Sequence, residues 1–210
     1  VPELVERRRE VAAVEPARLH AAAVKVFQDG VVESRTAAML APYLDAAGRP
    51  STDRGPSVYH PDVLRDMFVA LDAERFAIHT HAIGDRAVRE TLDALAAARL
   101  ANGPRDGRHQ IAHLQFIDPA DLPRFRALGV IANCQPFWAS EDAYVADLTR
   151  PFVGDARADR MYPFGSLVRM GATLAIGSDW SVTTPDPMQL LHVALQRTPP
   201  ERPGLRPLGS

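Results

Sequence analysis

A short apolar run ending in a polar residue capable of chemistry recurs along this chain, and the recurrence narrows the folds open to it. Ala21 to Phe27 holds Lys25, Arg75 to Thr80 leads into His81, Gln110 to Leu114 holds His113, and Thr173 to Ile176 leads into Gly177-Ser178-Asp179. Longer segments between them show helical spacing, such as Leu64, Met67, Phe68 and Leu71 on one face. With Val130 to Cys134 as a further strand, the order is strand, helix, strand, helix, which argues for a parallel α/β sheet with helices outside it. A (β/α)8 barrel spends roughly 250 residues on eight units, about 30 each. His81 to His113 is one such step, His113 to Asp179 is two, and Lys25 to His81 is one step plus a long loop. The polar residues thus recur where strands end, and barrel enzymes keep their active sites there. A dinucleotide fold lacks its signature, since no GxGxxG follows a strand.

Local signals set the expected boundaries. Helices are expected over Pro2 to Val14, Pro61 to Ala73, Arg86 to Leu100 with Asp85 as N-cap, and Pro187 to Gln196. Two more are expected, one opened by Asp118 and Pro119 and closed by Gly129, the other over Met161 to Met170. Residues 31–60 show no sustained period and read as a long loop with one helical turn around Ala37 to Tyr43; loops of this length often act as lids. The Pro- and Arg-rich stretch 198–210 reads as a loose tail on a domain of residues 1–197.

Composition excludes several classes. A net charge of −2 gives no basic footprint for nucleic acid. No run of 18 apolar residues exists, so no membrane span is expected. Cys134 is the only cysteine, which excludes an internal disulfide and suits a cytoplasmic location. The sequence starts with Val1 rather than Met and reads as part of a longer one.

Of the 24 cationic side chains, only Lys25 is a lysine. Lysine, unlike arginine, can act as a neutral amine. In a parallel barrel Lys25, His81, His113 and Asp179 converge on one cavity, and two imidazoles with a carboxylate suit zinc or a similar divalent ion. A lysine amine that captures CO₂ adds a carbamate ligand. Each residue also has a plainer reading. A lone histidine at a strand end is more often a hydrogen-bonded structural residue, Asp179 after Gly-Ser fits a turn or cap, and Cys134 fits a core thiol. His79 shares a strand face with His81 and fits a supporting or substrate-facing role, as do Gln135 and Trp138 beyond the next strand. His20, His60, His109 and His192 look ordinary.

Four stretches, Val24-Lys25-Val26-Phe27-Gln28-Asp29-Gly30, His81-Ala82-Ile83-Gly84-Asp85-Arg86-Ala87, Ile111-Ala112-His113-Leu114-Gln115 and Gly177-Ser178-Asp179-Trp180, closely resemble the amidohydrolase superfamily, nearest its amidohydrolase 3 branch with the N-substituted formamide deformylase-like proteins. The resemblance implies a partial TIM barrel, about strands 4 to 8. It also implies a metal-dependent hydrolase of amide-like, non-peptide C–N bonds in small molecules. By motif, His81 and His113 match metal ligands of the fifth and sixth strands. Asp179 matches the eighth-strand aspartate that binds metal and deprotonates water, and Lys25 matches a fourth-strand position that several members carry as a carboxylated lysine. The sequence departs from the pattern in four ways. The first-strand His-x-His pair and the small β-sandwich have no counterpart, Ala112 stands where Glu is expected, and Ser181 stands where Pro is expected.

Two readings follow. One is a metal-activated hydrolase with Asp179 as general base, inactive if this stretch stands alone. The alternative is a non-catalytic α/β barrel fragment serving as a scaffold or association unit, and open strand edges make a homo-oligomer possible. A metal-independent lyase or isomerase leaves the histidine spacing unexplained.

Overall fold

The computed structural model describes residues 1–15 and 17–209. Its centre is a five-stranded, all-parallel sheet in chain order: β1 (Ala23–Phe27), β2 (Ala77–Ala82), β3 (Gln110–His113), β4 (Ile131–Cys134) and β5 (Thr173–Ile176). Helices α2 (Pro61–Ala73), α3 (Asp85–Asn102), α4 (Leu122–Leu128) and α7 (Phe164–Arg169) form the crossovers, α1 (Pro2–Val14) precedes β1, and α8 (Pro187–Gln196) follows β5. Short helices α5 (Arg150–Val153) and α6 (Asp155–Ala158) lie between β4 and β5. This is one wall of a (β/α) barrel, as the alternating pattern implies.

Burial separates the two faces of the sheet. Val26, Ile78, Thr80, Ala82, Ile111, Ala132 and Cys134 point toward the helices and are buried among Leu64, Phe68, Leu92 and Phe125. The alternate positions form rows across the other face, Lys25 beside His79 and then Gln110, Phe27 beside His81 and then Ala112. That inner face is open beside β1, where Phe27 is about half exposed.

Several local expectations change. No helical turn forms around Ala37 to Tyr43; the loop 31–60 is irregular, with one bridge between Leu44 and Pro50. Asp85 does not cap α3. Gly84 is the N-cap, and the Asp85 carboxylate instead accepts from the Leu40 amide at 2.7 Å. The helix after β3 begins at Leu122, because Asp118 closes a turn with the Ala120 amide at 2.9 Å before it. The helix expected from Met161 begins at Phe164, since Tyr162 lies in the left-handed region (φ 52°) and Pro163 follows. The segment after β4, which Pro136 and its polar residues mark as a loop, is partly helical. It carries a 3-10 turn at Pro136–Trp138 and a π-helix at Tyr144–Thr149 before α5. The tail expected to be loose is tied back. Leu208 is buried, and its amide and carbonyl both bond to Arg197. Among the described residues no helix is long and apolar enough to cross a membrane.

Candidate active site

The C-terminal ends of β1, β2 and β3, with the turn after β5, carry the residues of interest. The His81 and His113 rings meet edge to face, with centroids 4.5 Å apart and planes at 63°. Strand alternation alone opposes this meeting. His113 pairs with Ala82 and follows the parity of Ile111, on the helix-facing side. Its φ of 77°, followed by 55° at Leu114, breaks the alternation and turns the ring back to His81. Left-handed backbone costs a non-glycine residue roughly 1–2 kcal/mol, so surrounding contacts must hold it. Gln135 supplies one, its buried Oε1 accepting from the His113 amide at 2.8 Å. Gln135 is itself held by Asn133 at 2.8 Å, and Asn133 by Gln110 at 2.7 Å. Trp138 covers the other side, stacked on the His113 ring at 5.4 Å.

His81 Nε2 lies 3.0 Å from the Gly30 carbonyl and 3.6 Å from Asp29 Oδ1. A carbonyl only accepts, so Nε2 carries the proton and Nδ1 keeps a free lone pair. Desolvation by burial lowers the pKa of His81 and pushes that of His113 down to about 3. Both imidazoles are therefore neutral, the state a metal ligand requires. His113 Nδ1 is buried without a hydrogen-bond partner.

Lys25 Nζ sits 3.3 Å from His79 Nε2 and 5.3 Å from the Phe27 ring centre. Lys25 is exposed, and among the described residues β1 is paired on one side only. Partial desolvation still lowers its pKa, and pushes that of His79 to about 4. Asp179 is exposed and left-handed (φ 55°), in a turn closed by the Val182 amide on its carbonyl at 2.8 Å. Its charge reaches Lys25, His79 and His81. Thus His81, His113, Trp138 and Gln135 form one contact group, Lys25 and His79 a second, and Asp179 acts on them only through its field. Among the described residues no three His, Cys, Asp or Glu side chains come together as a metal cage. The fit to a metal is therefore partial: two adjacent neutral imidazoles and an orphaned ring nitrogen favour it, and the ligand count falls short.

Asp29, followed by Gly30, has the sequence of a simple turn. Asp29 is buried, and its carboxylate accepts three backbone amides: Ala38 at 2.9 Å, Ile83 at 3.0 Å and Gly84 at 2.8 Å. Burial raises its pKa to about 7. An acid two residues beyond an apolar strand was the available signal.

The residues after His81 have a shared task that their motif did not disclose. The Ala38 carbonyl takes the amides of Arg86 and Ala87 at 3.0 and 3.3 Å, and a Cβ on Gly84 would overlap Ala38. Asp85 holds Leu40, and Arg86 bonds the Gly55 carbonyl. Arg157 fixes the far side of the loop through the carbonyls of Ala41 and Pro42 at 3.1 and 2.9 Å. The loop 31–60 is a wall anchored on α3 and on the segment after β4. A cleft of about 810 Å³ lies behind it, lined by Leu40, Phe116, Met161, Phe164 and Arg160, and none of the histidines reaches it.

The parallel βα wall superposes on solved metal-dependent hydrolases. The sequence model of the amidohydrolase family Amidohydro_3 matches residues 2–207, and the chain belongs to that family. It is 34% identical over 184 residues to Protein LONG AFTER FAR-RED 3 of Arabidopsis thaliana, covering 87% of this chain and 30% of that protein. It is 28% identical over 197 residues to the putative amidohydrolase YtcJ of Bacillus subtilis, covering 93% and 35%. An uncharacterized metal-dependent hydrolase from Pyrococcus furiosus superposes with a TM-score of 0.74 at 27% identity, over 92% of this chain and 38% of that one. The chain thus spans about a third of the length of these relatives.

Proposed function

We propose that this chain supplies the proton-transfer group and part of the metal-ligand set of a hydrolase that cleaves amide-like, non-peptide C–N bonds in small molecules. The contact of two neutral imidazoles, His81 and His113, at the end of a parallel sheet carries the reading. Buried neutral histidines in contact favour a shared cation over mere packing, because an orphaned imidazole nitrogen is costly when nothing binds it.

His81, through Nδ1, and His113 would hold a divalent ion, with Lys25 and Asp179 as further ligands. Imidazole and carboxylate suit zinc. When bound, such an ion lowers the pKa of water towards ~7 and polarises the scissile carbonyl. Asp179 then takes the proton of the attacking water as its oxygen bonds to the carbonyl carbon, and returns it to the leaving nitrogen as the C–N bond breaks. Left-handed backbone at Asp179 presents the carboxylate on an exposed turn, where substrate has access. Trp138 and His79 flank the reacting groups and would contact substrate, while Gln135 keeps His113 turned. Lys25 has a lowered pKa, which favours the neutral amine that CO₂ captures.

The shortage of converging ligands favours the second reading, a scaffold or association unit without catalysis. One experiment separates the two. Load the purified chain with zinc, measure bound metal, and assay simple amides with and without Asp179→Asn. Metal retained through His81 and His113, with any turnover lost in the variant, supports the hydrolase. A metal-free chain indifferent to substitution of either histidine supports the scaffold.

A further inference from the structure

We propose that Asp29 is the positioning residue of this site. By gathering the amides of Ala38, Ile83 and Gly84 on one carboxylate, it fixes the Gly30 carbonyl that takes the Nε2 proton of His81. The inference rests on the reading of His81 as a site residue.

The hydrogen bonds are of one kind. All three come from backbone N–H groups, Ile83 on Oδ1 and Ala38 and Gly84 on Oδ2, and they belong to two segments. Ile83 and Gly84 form the turn that leaves β2 after Ala82, two residues beyond His81, and Ala38 lies in the loop that leaves β1. A carboxylate has enough lone pairs to accept all three, and no amide or hydroxyl side chain at this position does. Among the described residues the only basic side chain within 4 Å of the Asp29 carboxylate is His81 itself, at 3.6 Å, and that ring is neutral. The Asp29 oxygens thus locate the chain on both sides of the His81 ring.

Gly30 completes the device. Its amide donates to the Thr36 carbonyl at 2.9 Å, which ties the turn down, and its carbonyl faces His81 Nε2 at 3.0 Å. A Cβ on Gly30 would overlap the Thr36 side chain, so this turn admits no larger residue. A displaced Asp29 would carry Gly30 with it and free the ring to rotate or change tautomer.

The comparison with Asp72 separates positioning from ordinary burial. Asp72 is equally buried, but it takes its bonds from side chains, Asn102 at 2.8 Å, Arg105 at 2.8 Å and His109 at 3.0 Å. His109 immediately precedes β3, at the end of the sheet opposite His81 and His113. Loss of Asp72 should weaken the fold without reaching His81.

The test uses the 210-residue chain with ¹⁵N-labelled histidine, and reads the His81 tautomer by long-range nitrogen–proton correlation alongside amide hydrogen exchange. In the wild type, His81 should be the Nε2–H tautomer, with slow exchange at Ala38, Ile83 and Gly84. Asp29→Asn removes one acceptor and turns a donor toward the amides. Protection at those three sites should fall by about tenfold or more, and the single tautomer should be lost. Asp72→Asn should lower global stability and leave the tautomer in place. Asp29→Glu keeps the charge while moving the oxygens by one methylene, and should give the same local loss if Asp29→Asn does not fold. A wild-type His81 protonated at Nδ1 overturns the proposal. So does a tautomer unchanged in the Asp29 variants, an equal change in Asp72→Asn, or global unfolding of both Asp29 variants. Failure of metal binding or turnover would refute the hydrolase reading and leave this one standing.

Discussion

His113 reaches His81 only because its backbone leaves the strand in the left-handed region, bringing the ring centres to 4.5 Å. A strictly extended strand would aim His113 at the helices beside Ile111. The candidate site therefore depends on the backbone that Gln135 and Trp138 hold in place.

Gln135→Ala is expected to release the buried His113 amide and the half-buried Asn133 side chain. Leaving such groups unpaired costs about 1–3 kcal/mol. Urea denaturation should show a loss of that size, and the His113 ring resonances should broaden. Unchanged stability with sharp resonances would show that Gln135 does not hold the turn.

Asp179→Asn keeps the shape of the turn and removes the base. In a hydrolytically active preparation the rate should fall on the order of 10²–10⁴-fold, with metal binding weakened less. A near-normal rate in the Asn variant would exclude the role.

Lys25→Arg keeps the positive charge but cannot form a carbamate. Turnover in an active preparation should be abolished while the circular dichroism spectrum stays that of the wild type. Retained activity would make Lys25 a structural neighbour of His79 and Phe27.

Stability should fall as pH drops below about 6.5, in part through His109. Its Nδ1 accepts from the Ile78 amide at 3.1 Å, and its Nε2 faces Asp72 at 3.0 Å. Desolvation by burial lowers its pKa despite the favourable charges of Asp72 and Asp106, with Arg105 acting against protonation. Because the folded pKa lies below the unfolded value near 6.5, the unfolded chain takes up a proton first. The contribution is full above that pH and is lost as pH falls towards the folded pKa. Denaturation midpoints at pH 8 and pH 5 should differ less in His109→Gln than in the wild type.

Strands β1 and β5 each pair on one side only among the described residues, and Phe27, Ile176, Trp180 and Val182 are exposed nearby. Unpaired edges with apolar surface promote association. The chain alone should sediment faster than a monomer, and a monomeric species at tens of micromolar would show that the open face is stable in water.

The sequence by itself determined the order of strands and helices, because apolar periodicity and Gly and Pro punctuation are local signals. The ends of β1 to β5 fall where those signals place them within a residue or two. Local signals also marked His81, His113 and Lys25 as polar residues at strand ends. Only the tertiary structure decided what the neighbouring residues do. Asp85 has the position of a helix cap and anchors Leu40 instead, because the loop 31–60 folds onto the start of α3 and offers its amide there. Asp29 looks like half of a turn signal, yet it takes amides from segments far apart in sequence. The meeting of His113 with His81 required a backbone angle that strand parity argues against, and contacts across β3 and β4 hold that angle. Such contacts join residues distant along the chain, and no local pattern encodes them.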